Sequence, residues 1–161
     1  MARWLVKQEP SAYSYADLER EGATRWDGVH HPLALRHLRA MRPGDEGIFY
    51  HTGAERACVG TLRVVGRPAP DPGDARGSWT VRVAVGRRFD RPVPLAQIRG
   101  DPAFRGFELL RLGRLSVMPV PAPYWRRIVA LGRPAVPTAA PPGPGRGAAP
   151  PPTRTSAPRK R

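Results

Sequence analysis

The spacing of apolar residues predicts both helices and strands within the first 133 residues. In residues 81–85, three valines alternate with more polar neighbours, which is typical of a strand with one buried face. Residues 32–41 begin with a proline suited to a first helical turn and then carry apolar side chains at helical spacing. Residues 123–132 also place apolar side chains on one helical face, so both segments predict amphipathic helices.

Two apolar segments, residues 47–52 and 58–65, are joined by a short turn and predict a β-hairpin. Further short strands are expected at residues 3–7 and 115–120, short helices at 16–21 and 94–100, and a loop at 67–77. The strands follow one another along the chain with small helices between them. We therefore expect an α+β fold, in which a strand meander closes into a small mixed β-barrel with flanking short helices.

The composition changes sharply after residue 133. Residues 134–161 contain nine prolines, no acidic residue and no apolar periodicity. Such a segment cannot bury enough apolar surface to offset the entropy of ordering it. We therefore expect one folded domain over residues 1–133 and a disordered Pro/Ala/Gly/Arg-rich basic tail over residues 134–161.

The formal net charge of +14 favours an acidic partner such as nucleic acid. Only two of the 27 basic residues are lysines, and alanine, glycine and proline are abundant. A GC-rich genome produces the same composition whatever the protein does, so charge alone leaves the partner open. The short apolar run at residues 4–6 ends at Lys7 and does not resemble a signal peptide, which predicts a cytoplasmic protein.

Few residues are arranged for catalysis or metal binding. Cys58 is the only cysteine, which excludes an internal disulfide and a cysteine-based zinc site. His30, His31 and His37 lack a carboxylate at helical spacing, so we expect no metal and no cofactor. Lys7 and Glu9 could share one face of a strand end and polarise a nucleophile, although an ion pair or a ligand-binding pair is the commoner role.

Trp26 is followed by Asp27 and Gly28, which place its large flat ring beside a turn. Such a tryptophan could fill the core, or it could form a wall on which a planar ligand stacks. Residues 50–52 end one predicted strand with hydrogen-bonding side chains, and residues 114–117 begin another. The residue types alone leave both interpretations open.

Taken in order, the motifs are more specific than any one of them. They are WLVKQEP at residues 4–10, WDGV at 26–29, LRAMRPGD at 38–45, IFYHT at 48–52 and RLSVMPV at 114–120. Together with Val59-Gly60, Val64-Val65 and Pro70-Asp71-Pro72, this series resembles the EVE domain family. The resemblance extends over residues 3–131.

This resemblance implies a PUA-like fold related to the YTH and ASCH domains. It also implies a monomeric, non-catalytic module whose aromatic-lined pocket takes a flipped-out, modified base of DNA or RNA. By motif, the candidate nucleobase-binding residues are Gln8, Glu9, Trp26, Val29, His31, Tyr50, His51, Thr52, Arg114 and Ser116. Glu9 could accept a hydrogen bond from an exocyclic amine, and Arg114 could hold a phosphate or a base carbonyl.

The sequence departs from the family pattern at residues 30–37. Many family members carry Arg-Asn and then Gln-x-Arg-Asn after the WDGV motif, whereas this chain carries HHPLALRH. His31 replaces a side-chain amide, and Leu33 and Leu35 replace polar groups. We expect a less polar pocket on that side and a changed ligand preference.

Two other functions stay open on the sequence. An enzyme resembling some ASCH domains would act on a modified nucleoside or RNA through Lys7 and Glu9. A general interaction module would bind RNA or a protein through its basic surface, with steep salt dependence and no need for Trp26.

Overall fold

The computed structural model describes residues 1–133, so the predicted tail lies outside the described residues. The strands are β1 (Arg3–Gln8), β2 (Ala23–Trp26), β3 (Glu46–His51), β4 (Ala57–Val64), β5 (Ala69–Pro70), β6 (Trp79–Pro94) and β7 (Val117–Pro119). The α-helices are α1 (Tyr15–Glu21), α2 (Pro32–Ala40), α3 (Leu95–Arg99), α4 (Glu108–Arg111) and α5 (Ala122–Gly132), and a 3-10 helix spans Pro102–Phe104. No helix in this part of the chain has the length and hydropathy needed to cross a membrane.

The strands form one mixed sheet in the order β2-β6-β4-β3-β1-β7, and β5 pairs with β6. β1 lies parallel to β3, and every other pairing is antiparallel. The predicted α+β class is confirmed, as is the hairpin of β3 and β4. The prediction of a sequential meander is wrong, because β1 lies between β3 and β7. Within residues 1–133 the strand path is open, with β2 and β7 at its ends.

β6 is the element whose extent the sequence conceals most. It has 16 residues, whereas the apolar alternation predicted a strand only over residues 81–85. Residues 86–88 are all exposed, so the alternation that marks a half-buried strand stops there while the backbone pairing continues. Its register against β4 shifts on both sides of Gly60, and such irregularities bend a strand. Along its length β6 pairs with both β2 and β4.

The sheet has two covered faces, and successive residues of β1 point to opposite ones. On one face, Trp4 lies 6.0 Å from the ring of His37 in α2. On the other, the Arg3 guanidinium lies 5.2 Å from the ring centre of Trp125 in α5. We call these the α2 face and the α5 face. This alternation decides which side chains meet at the site described below.

Asp45 ties the N-terminal segment to the start of β3. It is only 5 % exposed, and its carboxylate accepts hydrogen bonds from Trp4 Nε1 (3.0 Å), Ala2 N (3.0 Å) and Arg42 N (2.9 Å). Burial pushes the pKa of Asp45 upward, but these hydrogen bonds to its charged form outweigh burial and lower the pKa overall. The ionised carboxylate therefore stabilises the folded state.

We expect Asp45→Asn to lower the free energy of unfolding by about 1–2 kcal/mol at pH 7, because the amide leaves at least one donor unpaired. A depressed folded pKa contributes stability that is present above the unfolded value, near 3.9, and is lost as pH falls through the folded value. Urea unfolding at pH 7 and pH 3 should therefore show a smaller gap between wild type and variant in acid. Glu46→Gln, which breaks a half-exposed pair with Arg3, is the control and should cost under about 0.5 kcal/mol.

Candidate functional site

The carboxyl ends of β1 and β3 lie side by side at one edge of the sheet. Lys7 is paired with Tyr50 and Gln8 with His51, and the Thr52 amide donates to the Gln8 carbonyl at 2.9 Å. Because neighbouring residues of a strand point to opposite faces, this edge presents two different surfaces. Gln8 and His51 lie on the α2 face, whereas Lys7 and Tyr50 lie on the α5 face.

Five rings meet on the α2 face, and we call them the aromatic cluster: Tyr13, Tyr15, Trp26, Phe49 and His51. Phe49 is central, with the other ring centres 5.2–6.4 Å away. Trp26, Tyr15 and His51 meet it edge-on, and Tyr13 lies nearly parallel to it. Tyr13 is half-buried and the other four rings are buried, with Trp26 only 3 % exposed. Tyr13 is thus the member of the cluster that meets solvent.

His51 holds the cluster to helix α1. Its Nε2 accepts a hydrogen bond from the Tyr15 amide at 3.0 Å, so the ring proton must lie on Nδ1. Nδ1 in turn donates to the Glu55 carboxylate at 2.8 Å. Both ring nitrogens are therefore engaged, and His51 positions the neighbouring rings.

Polar groups surround the cluster at the end of β1. Gln8 is half-buried, and its Oε1 accepts from the Glu9 amide at 3.2 Å. Glu9 is exposed, and its carboxylate accepts from the amide (3.2 Å) and hydroxyl (3.1 Å) of Ser11. The Tyr13 hydroxyl donates to Glu21 at 2.7 Å, and burial together with this hydrogen bond raises the pKa of Tyr13 to about 12.

The segment after Trp26 continues into α2. Val29 is buried, and His31 is exposed and caps the helix, with Nδ1 accepting from the Leu33 amide at 3.2 Å. His30 bonds through Nε2 to Asp74, and its Nδ1 accepts from Arg76 at 3.0 Å. The unusual His30 therefore fastens the loop between β5 and β6 beside this segment.

The three histidines considered for a metal site have separate partners. His30 pairs with Asp74, His31 caps α2, and His37 lies against Trp4. Residues 1–133 contain no group of three His, Cys, Asp or Glu side chains placed to hold a metal ion.

The α5 face carries a cavity of about 260 Å³ at the same edge. Its lining includes Lys7, Tyr50, Thr52, Arg56, Arg99 and Gly113, with three leucines from α3 and α4. Lys7 Nζ donates to the Gly113 carbonyl at 2.9 Å and lies 5.4 Å from the Tyr50 ring centre. Burial lowers the pKa of Lys7 and raises that of Tyr50 to about 12.

The structure distributes the remaining predicted site residues around this edge. Lys7 and Glu9, which the enzyme hypothesis pairs, bond to Gly113 and Ser11 respectively. Ser116 is half-buried, and its carbonyl accepts from the Lys7 amide at 2.9 Å, while Arg114 is exposed two residues earlier. The predicted set is therefore divided: Gln8, Trp26 and His51 share the α2 face, whereas Tyr50 and Thr52 line the cavity on the α5 face.

A family model supplies the deciding comparison, because the EVE domain model matches residues 2–131. The chain belongs to the EVE family. Human thymocyte nuclear protein 1 is 28 % identical, in an alignment that covers 74 % of this chain and 68 % of that protein. The chain thus spans about two thirds of the human relative's length.

Solved structures agree with this EVE assignment. A protein from Rhodopseudomonas palustris matches with a TM-score of 0.77 and 33 % identity, over 82 % of this chain and 93 % of its own. The human THYN1 protein, solved in complex with 5-methylcytosine-containing DNA, matches with a TM-score of 0.73 and 26 % identity, over 82 % of this chain and 98 % of its own. The resemblance stated from the sequence motifs is confirmed.

The EVE domain's aromatic cluster contains three residues that the sequence motifs did not single out as ligand contacts. Tyr13 and Tyr15 follow the WLVKQEP motif, and Phe49 lies inside the IFYHT motif. The sequence could have indicated Tyr13 and Phe49 as site residues, because each is an aromatic residue within or just after a motif that contributes to the site. Tyr15 could be found only through the contact of α1 with the sheet.

Proposed function

We propose that this EVE domain is a binding module for a modified nucleobase, with a modified cytosine of DNA as its first candidate ligand. The observation that carries the proposal is the aromatic cluster at the carboxyl ends of β1 and β3, with hydrogen-bonding side chains at its rim. A flat base can stack on such rings, and base–aromatic stacking contributes about 1–3 kcal/mol per base. The human THYN1 structure with 5-methylcytosine-containing DNA supports this choice of ligand.

The base enters the cluster at Tyr13. Trp26 is nearly covered in the free protein, so a base that stacks on it must displace neighbouring side chains. Tyr13 is half-buried, and its hydroxyl is held by an exposed pair with Glu21. Its movement exposes the Phe49 ring beneath it and brings the base against the edge of the cluster.

The rim groups read the edge of the base. The Glu9 carboxylate accepts a hydrogen bond from the exocyclic amine of cytosine, and the Gln8 amide can both donate and accept. Val29 and Leu33 offer apolar contacts for a substituent such as a methyl group. His30 is held by Asp74 and Arg76, so its side chain fixes the loop between β5 and β6. The ligand preference is then set by Gln8, Glu9 and the apolar side chains of Val29 and Leu33.

Fluorescence titration with matched oligonucleotides tests the proposal. We expect DNA with one 5-methylcytosine to bind at least about 10-fold tighter than the same DNA with cytosine, because one bidentate or apolar base contact contributes about 1–3 kcal/mol. Hydroxymethylcytosine and methylated adenine complete the panel, in single strands, duplexes and matching RNA.

Glu9→Gln should lower the affinity for the cytosine and the 5-methylcytosine oligonucleotides alike, because both bases carry the exocyclic amine whose hydrogen bond the carboxylate accepts. Glu46→Gln, which removes the same charge at the opposite end of β3, should leave both affinities unchanged. Equal affinity for modified and unmodified oligonucleotides, with steep salt dependence, would instead favour the general interaction module.

A further inference from the structure

We propose that the cavity on the α5 face is a phosphate-binding site formed by Lys7, Arg56 and Arg99. That this phosphate belongs to the nucleotide next to a bound base rests on the proposed function. The phosphate site itself stands on the composition and placement of the cavity. A free phosphate ester and the nucleic acid backbone share this chemistry, and the experiments below distinguish them.

Among residues 1–133, the lining of the cavity combines three cations and no acidic side chain, and two carboxylates flank it: Glu9 lies against Gly53, and Glu55 lines an adjoining cavity with Arg56 and Arg99. Like charges gathered in a partly enclosed space repel one another, and a bound anion offsets that repulsion. Arg56 and Arg99 line this cavity together with Tyr50 and Lys7. The three positive groups therefore converge on one volume.

The cations of the cavity are free for a ligand. Within residues 1–133, arginines 3, 20, 88 and 127 have carboxylate partners within 4 Å, whereas neither Arg56 nor Arg99 has one. Lys7 Nζ uses one of its three N–H donors on the Gly113 carbonyl, which leaves two. A guanidinium presents paired N–H donors that match phosphate oxygens.

The backbone fixes the two arginines against each other. Arg56 ends the turn between β3 and β4, and its carbonyl accepts a hydrogen bond from the Leu95 amide at 2.8 Å. Leu95 is the first residue of α3, and Arg99 is the last. The turn that carries Arg56 is thus anchored to the helix that carries Arg99, and both side chains are presented to one cavity.

The position of the cavity suits a strand of nucleic acid that inserts a base on the other face. Lys7 and Tyr50 immediately precede Gln8 and His51 on paired strands, so the two surfaces share one edge of the sheet. A backbone that runs across this edge brings a phosphate to Lys7 while its base reaches the aromatic cluster.

Titration with inorganic phosphate tests the site directly. We expect saturable shifts of the Gly53 and Gly113 amide signals in ¹H–¹⁵N NMR spectra of the full chain, and an affinity at least about 10-fold weaker in Arg99→Gln. Arg126→Gln removes one exposed charge from α5, outside the cavity lining, and should bind phosphate like wild type. Shifts that do not saturate, or that are equal in Arg99→Gln and wild type, overturn the site.

Oligonucleotides with a single neutral methylphosphonate linkage identify the source of the phosphate. Placed next to the modified base, the neutral linkage should weaken binding to wild type about 5-fold or more and have little effect on Arg99→Gln. An equal loss in both proteins overturns the assignment to the backbone. If phosphate binds but no modified base does, the proposed function fails while the site stands; the reverse result overturns the site alone.

Discussion

Trp26→Ala should abolish detectable base binding and lower the free energy of unfolding by about 3–5 kcal/mol. The ring is 3 % exposed and meets Phe49 edge-on at 5.2 Å with an interplanar angle of 86°. Its removal leaves a cavity beside Phe49 and takes away the largest ring of the aromatic cluster, on which a base stacks once the neighbouring side chains have moved. The measurements are urea unfolding and oligonucleotide titration at a temperature where circular dichroism shows the variant folded.

Two further variants separate the loss of stability from the loss of binding. Trp125→Ala removes an equally large ring that is 7 % exposed and lies on the α5 face, so it should cost similar stability and leave base affinity per folded molecule unchanged. Trp26→Phe keeps an aromatic ring and should retain the fold with a binding loss of about 10-fold or less. If Trp26→Ala binds as tightly as wild type, the base does not use the aromatic cluster.

The sequence contained enough information to find the edge of the sheet but not to divide its residues between two faces. WLVKQEP and IFYHT each predict a strand that ends in hydrogen-bonding groups. Their parallel pairing, which sets Gln8 beside His51 and Lys7 beside Tyr50, is a long-range contact that no local pattern specifies. Tyr50 was therefore grouped with Trp26, although their rings lie on opposite faces.

Helix α2 and strand β6 show the same limit of local patterns. The proline and the apolar spacing of residues 32–41 predict α2 closely, because the buried face of an amphipathic helix appears as apolar residues at helical spacing within the helix itself. The pairing of β2 with β6 depends on residues about 60 positions apart, and the short β2 carries only one buried side chain. The sequence pattern therefore places Trp26 only beside a turn. In the structure Trp26 ends strand β2, whose backbone holds its ring in the aromatic cluster.

The second substitution with a large expected effect is at Gly60, which lies against Tyr15 of the aromatic cluster. A Cβ at this position would lie 2.5 Å from Tyr15 Cζ and 2.9 Å from the Arg87 carbonyl oxygen. The tyrosine cannot move freely, because its hydroxyl donates to the Thr61 carbonyl at 2.8 Å and its ring meets Phe49 edge-on. The close approach of β4 to Tyr15 and β6 therefore requires a residue without a side chain.

We expect Gly60→Ala to lower the free energy of unfolding by about 3 kcal/mol, because overpacking forces a backbone strand or a fixed ring to shift. Gly100→Ala is the control: its Cβ would meet only the Ala96 carbonyl at 3.5 Å and the Gln97 carbonyl at 4.0 Å, so its cost should stay below about 0.5 kcal/mol. Since Tyr15 supports Phe49, the folded Gly60→Ala protein should also bind the modified base more weakly. Wild-type stability together with wild-type binding in Gly60→Ala would show that Tyr15 does not pack against Gly60. It would also show that Tyr15 does not transmit the position of β4 to the base-binding rings.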